Sequence, residues 1–117
     1  VKLCFLKGNS NKTQIFDEID RGVGGATASA IGKRLLQLSK HEQVLVVTHS
    51  PQVASYSDNH LKVEKINKGN LTNTEVNTLD EESLVREIAR MLSGELISSE
   101  ALAAAATLRN SSRMGTS

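Results

Sequence analysis

Val44, Leu45, Val46 and Val47 form an unbroken apolar run. With no polar alternation and three β-branched members, it predicts a strand covered on both faces in a parallel sheet. Upstream, Gln14 to Asp17 reads as a shorter strand. A glycine-rich turn follows, with Gly22, Gly24 and Gly25, and then a segment placing Ala28, Ile31, Leu35 and Leu38 at helical spacing. Strand, helix and strand in this order predict a βαβ unit. After Thr48 and His49, Ser50 is placed to cap a short helix and Pro51 to occupy its first position.

The period then changes. His60 to Ile66 alternates apolar and polar residues, Lys68, Gly69 and Asn70 make a turn, and Leu71 to Val76 alternates again, which predicts a β-hairpin. Thr78 and Glu81 have the spacing of a capping box. The helix they open carries Leu84, Val85, Ile88, Met91 and Leu92, and an alanine-rich helix is predicted from about Ser99 to Leu108. The polar stretch from Arg109 to Ser117 is expected to be a disordered tail. Residues 1 to 9, partly apolar and ending in Gly8 and Asn9, read as the tail of a helix. No internal repeat is present.

Composition narrows the class. The chain has 117 residues, 38% hydrophobic and 23% charged, as in an ordinary globular domain, and a net charge of +1 that gives no basic footprint for nucleic acid. Its one cysteine, Cys4, cannot close an internal disulfide and reads as a small buried apolar residue. Neither a zinc-spaced Cys/His cluster, a membrane-length apolar run nor a signal-peptide pattern occurs, so a cytoplasmic location and no membrane contact are expected. The chain begins at Val1, which suggests a piece of something longer.

Candidate chemistry gathers at the ends of the first two predicted strands. Ile15-Phe16 ends in the adjacent carboxylates Asp17 and Glu18, at the strand end where open α/β sheets place ligands. Such a pair suits a magnesium-nucleotide site, one carboxylate holding the ion and the other orienting water. Two solvated charges at a strand end would read the same way. His49 ends the next strand on the same sheet edge, placed to bond a phosphate or the attacking water, or else a structural histidine. The loop of Asp20, Gly22, Gly24 and Gly25 could cradle phosphate on backbone N–H groups, admit a second subunit or simply connect strand to helix. A dinucleotide fingerprint is a poor fit, because Thr27 stands where its third glycine belongs. His41 and His60 read as surface residues, and the charges between positions 80 and 90 as a solvated helix face.

Taken in order, the strand with Asp17 and Glu18, the Asp20 to Gly25 loop and the strand before Thr48-His49 resemble the Walker B, D-loop and switch-histidine order of ABC ATPases. More narrowly, residues 15–25, residues 47–54 and Ala89-Arg90-Met91-Leu92-Ser93-Gly94 resemble the bacterial RecN family over nearly all of residues 1 to 108. The resemblance implies an α/β fold: part of an ABC-type P-loop NTPase head with parallel strands, a C-terminal β-hairpin and two C-terminal helices. RecN proteins are relatives of SMC proteins whose head is interrupted by a coiled coil, and they act in DNA double-strand break repair at the bacterial nucleoid. By that resemblance Asp17 helps hold Mg2+, Glu18 activates water, and His49 contacts the γ-phosphate side of ATP. Asp20, with Gly22, Gly24 and Gly25, meets a second head of a homodimer, and the complete protein contacts DNA.

Several parts of that machinery are absent from these residues. There is no G-x-x-x-x-G-K-[ST] phosphate loop and no coiled-coil heptad. Met91-Leu92-Ser93-Gly94-Glu95 imitates the LSGGE signature but lacks one glycine and ends a helix instead of opening one. The sequence therefore reads as half an active site, expected to be inactive alone. The resemblance also places the phosphate-loop strand between the His49 strand and the strand near Leu61 to Ile66, so this chain is expected to lack a central strand and to be marginal or aggregation-prone. The alternatives are an interaction module without turnover and, more distantly, a Rossmann-type oxidoreductase.

Overall fold

The structure, a computed structural model, describes residues 2–7 by their backbone and residues 12–114 in full. Its elements are β1 (Lys2–Lys7), β2 (Thr13–Asp17), α1 (Gly25–Leu38), β3 (Gln43–Thr48), α2 (Pro51–Ala54), β4 (His60–Lys68), β5 (Leu71–Leu79), α3 (Glu81–Ser93) and α4 (Ser99–Met114). The strands form one mixed sheet in the order β2-β3-β1-β4-β5. Of its pairings only β2 with β3 is parallel, with Asp17 opposite Val47; the expectation of parallel strands holds for that pair alone.

Two expectations at the N-terminus are corrected. Residues 2–7 are a strand, not the tail of a helix; Val1, Gly8 and Asn9, and the Cys4 side chain with its expected burial, lie outside the described residues. The place between β3 and β4 is not vacant, because β1 pairs antiparallel with both. The reason is the cost of bare strand edges: a central gap would leave two ladders of N–H and C=O groups unpaired, and an extended segment that fills it satisfies both.

β3 alternates buried and half-buried residues. Val44 and Val46 face Ala28 and Leu35 of α1 and Val53 of α2, forming one apolar cluster. Leu45 and Val47 point the other way and are half-buried, so the expected cover on both faces is incomplete. Within α1, Gly32 allows a close approach that no other residue would permit: a Cβ there would stand 2.6 Å from the Tyr56 ring. Ser50 and Pro51 start α2 as expected, the Ser50 hydroxyl accepting from the Val53 N–H.

The hairpin is longer than its alternation suggested, with Gly69 at φ +63° in the turn. Among the described residues only His60 to Val63 pair with β1, so the far end of the hairpin projects from the sheet, and Leu71 to Thr78 are exposed on both faces. The cap of α3 lies two residues beyond the predicted Thr78. Asp80 is the cap, its carboxylate accepting from Ser83 N–H at 2.7 Å, while Thr78 is still in β5. Gly94, at φ +85°, stops α3 as expected.

A second cluster joins Ala54 of α2 to Leu84, Ile88 and Ala89 of α3 and to Ala101 and Ala105 of α4. Here three further expectations fail. The stretch from Arg109 to Met114 is helical, continuing α4, because Arg109 is 3% exposed and fully engaged. Its guanidinium donates to the carbonyls of Ser55 and Ser57, both at 2.7 Å, and to Glu81. His60 is buried, not at the surface, bonded through Nδ1 to the Ser57 hydroxyl; His41 is exposed, as expected. Finally, Glu87 is buried and pairs with Lys62 of β4 and with Arg90, so this part of α3 is not a solvated face. Burial alone would raise the Glu87 pKa, but hydrogen bonds from Arg90 and Lys62 outweigh it and hold the carboxyl below its ordinary value.

Candidate functional site

Because β2 and β3 are parallel and in register, their C-terminal ends lie side by side, and the loops that leave them carry the candidate groups. The β2–β3 pairing runs one bond past Asp17: Glu18 N–H donates to Val47 C=O at 2.8 Å. There the chain turns sharply. Glu18 takes φ +52°, the only non-glycine residue with positive φ among those described, and Arg21 N–H closes the turn on the Glu18 carbonyl at 3.2 Å. A non-glycine side chain in the left-handed region costs of order 1–3 kcal/mol, and such strain persists only where neighbours over-determine it.

The turn brings the Glu18 carboxylate to His49. Oε1 of Glu18 lies 3.2 Å from Nε2 of His49, and Oε2 lies 4.0 Å from the Arg21 guanidinium. His49 is 56% exposed and Glu18 25%, so the pair faces outward and a bound group could reach it. With Asp20, Arg21, Gly22 and Ser50 they line a cavity of about 510 Å3. Gly22 lines it at φ +79°, a conformation that L side chains rarely adopt.

The remaining candidates divide. Asp17 is exposed at the end of β2, next to the cavity in sequence but not among its lining residues. Asp20 lines the cavity, yet it is 8% exposed and its Oδ2 accepts from the Thr48 hydroxyl at 2.5 Å, so its side chain works within the chain. Gly24 and Gly25 build the start of α1: Gly24 is its N-cap residue, and a Cβ on Gly25 would come within 3.2 Å of Gln52 on α2. Sequence reasoning passed over Arg21 and the Thr48–Asp20 bond. The second had a faint signal, a hydroxyl residue ending a strand beside a loop that begins with a carboxylate.

Among the described residues no group of three or more His, Cys, Asp and Glu side chains could hold a metal ion by itself. A single exposed carboxylate beside a second one does fit Mg2+, which keeps several waters and takes one or two protein carboxylates together with substrate phosphates. No described helix is long and apolar enough to cross a membrane.

Comparison with known proteins bears on what this edge serves. No protein-family profile matches the chain. It is 45% identical over 113 residues to the DNA repair protein RecN of Streptomyces coelicolor, an alignment covering 97% of this chain and 20% of that protein. The RecN proteins of Xylella fastidiosa and Rickettsia bellii are 47% and 46% identical over 96 and 94 residues, covering 82% and 80% of this chain and 17% of each relative. The chain belongs to the RecN family. It spans about a fifth of the length of these RecN relatives. The matched stretch of the Streptomyces protein is long enough to take in both strand ends, the hairpin and most of the C-terminal helical pair.

Proposed function

We propose that this RecN segment supplies the Walker B carboxylates, the D-loop and the switch histidine of an ABC-type head that hydrolyses ATP in DNA double-strand break repair. The observation that carries the reading is the Glu18–His49 pair, 3.2 Å apart on the ends of two parallel strands and lining an open cavity. The relatives' name supports DNA repair as the process. In the complete protein, at the bacterial nucleoid, Asp17 would help hold Mg2+, which would neutralise charge on the phosphates.

Glu18 orients and deprotonates the attacking water, and His49, 3.2 Å from Glu18, holds the γ-phosphate side. Such general-base help is worth about 100- to 10,000-fold. The exposed part of the glycine loop, Arg21 to Gly24, faces a second head of a homodimer, with Asp20 beneath it as its support. The sequence holds no G-x-x-x-x-G-K-[ST] loop to position the β- and γ-phosphates, so hydrolysis belongs to the complete protein and this chain alone is inactive. The test is Glu18→Gln in the complete RecN protein: steady-state ATP hydrolysis is expected to fall at least about 100-fold with ATP binding retained. Hydrolysis at the wild-type rate would remove Glu18 from the role of base.

A further inference from the structure

Glu18 and His49 stand on different loops, and one hydroxyl ties those loops together. Thr48 is fully buried, at 0% exposed. Its Oγ1 donates to Oδ2 of Asp20 at 2.5 Å, on the loop that follows β2, and accepts from Ser50 N–H at 2.9 Å, on the loop that follows β3. Asp20 comes two residues after Glu18, and Thr48 comes immediately before His49. The hydroxyl therefore uses its one donor across the gap between the loops and an acceptor lone pair within its own loop. Glu18 sits in a left-handed conformation that the chain does not adopt unless it is held. Its own N–H bond to Val47 fixes the near end of the turn, and the Thr48–Asp20 bond fixes the far end.

We propose that Thr48 is a positioning residue for the Glu18–His49 pair: its bond to Asp20 sets the distance between the two groups. The inference rests on the hydrolytic role proposed above. A bond from a neutral donor to a carboxylate is shorter and stronger than a neutral pair, which suits it to holding two loops in register. Reacting groups displaced by about 1 Å can lose on the order of 100-fold in rate, so a residue that touches no substrate can still set kcat.

The experiment uses the complete RecN protein and compares Thr48→Val, which keeps the shape and removes the hydroxyl, with Thr48→Ser, which keeps the hydroxyl. T48V is expected to lower kcat for ATP hydrolysis about 10- to 100-fold, with KM for ATP within about twofold. T48S is expected to keep kcat within about threefold. Asp20→Ala removes the other end of the same bond, so the double variant T48V/D20A is expected to be no slower than the slower single variant.

If the side chain only packs, T48S is slower than T48V, and that ordering overturns the proposal. Wild-type kcat in T48V, or losses that multiply in the double variant, overturn it as well. Should T48V fail to fold, D20A carries the test: a kcat loss at unchanged KM supports the proposal, and an unchanged kcat overturns it. Glu18→Gln assayed alongside separates the two levels. An inactive E18Q with a fully active T48V sinks only the role of Thr48, whereas a fully active E18Q removes the base assignment and this inference together.

Discussion

At the ends of β2 and β3, polar groups gather at an open edge: Glu18 and His49 face a cavity, Arg21 is 85% exposed, and the turn that presents them is strained. Where α4 meets the α2–β4 connection, the polar groups are instead shut in. Arg109 satisfies two carbonyls and pairs with Glu81, Ser55 and Ser112 share a hydrogen bond, and His60 bonds to Ser57. Both regions are rich in charge and hydroxyl groups, but only the first leaves them turned toward a place where a ligand could sit. A cluster of polar residues is thus a sign of function when its hydrogen bonds end at a cavity, and a sign of architecture when they close on the chain itself.

That difference can be broken experimentally, and the largest effect lies in the closed region. Arg109→Met removes the donor to two buried carbonyls and leaves Glu81 without its main partner. Each buried acceptor left unsatisfied costs about 1–3 kcal/mol, and the half-exposed Glu81 adds little to that. Urea unfolding should register that loss, and a change below about 1 kcal/mol would show the network to be idle. If the two regions are separate in role, the ATP turnover of complete RecN carrying this substitution persists at temperatures where it remains folded.

The next effect is a pH dependence. Burial lowers the His60 pKa to about 4, and the positive charge of Arg109 adds to the shift against the opposing Glu81 and Asp58. Above pH about 6.5 the ring is neutral whether the chain is folded or not. As pH falls from about 6.5 to about 4 the unfolded chain takes up a proton that the folded chain refuses, so stability is lost across that window and the loss saturates below it. At about 1.36 kcal/mol per pH unit the whole window is worth about 3 kcal/mol at most. Glu81 and Glu87, held below their ordinary value of 4.5, begin to lose their contributions as pH falls below about 4.5. His60→Gln should flatten the profile between pH 4 and 6.5 only; an unchanged profile would place the titration elsewhere.

The smallest effect tests packing between α1 and the chain after α2. Gly32→Ala improves helix propensity by up to about 1 kcal/mol but drives a methyl into the Tyr56 ring. The clash should win, for a net loss of about 1–2 kcal/mol in thermal or urea unfolding. A stabilised variant would mean that the ring moves aside freely.

Much of the site and part of the fold were legible in the sequence because their signals are short. Asp17 and Glu18 are adjacent, Thr48 and His49 are adjacent, and the Val44 to Val47 run, the Ser50-Pro51 start and the Gly69 turn are read within a few residues. Arg109 was misread as part of a polar tail because what orders it lies 28 to 54 residues away, at Glu81 and Ser55. His60 was misread for the same reason: nothing in the alternation of β4 says which of its residues meets Ser57 and lies under α4. Residues 2–7 hold a short, continuous apolar run in which periodicity cannot decide between helix and strand, and the sheet edges they pair with decide it instead. The shift of the α3 cap from Thr78 to Asp80 has a simpler cause, since β5 keeps Thr78 in its ladder and leaves Asp80 as the first acceptor free to turn.

The central claim is that this edge is one part of an ATP-hydrolysing site completed by the rest of the protein. Its most direct test is magnesium-ATP binding and turnover by the purified 117-residue chain, measured beside the complete RecN protein of the same source. The account expects binding and turnover in the complete protein and neither in the chain alone. Turnover by the chain alone would contradict the half-site, and a complete protein that neither binds nor hydrolyses ATP would contradict the site itself.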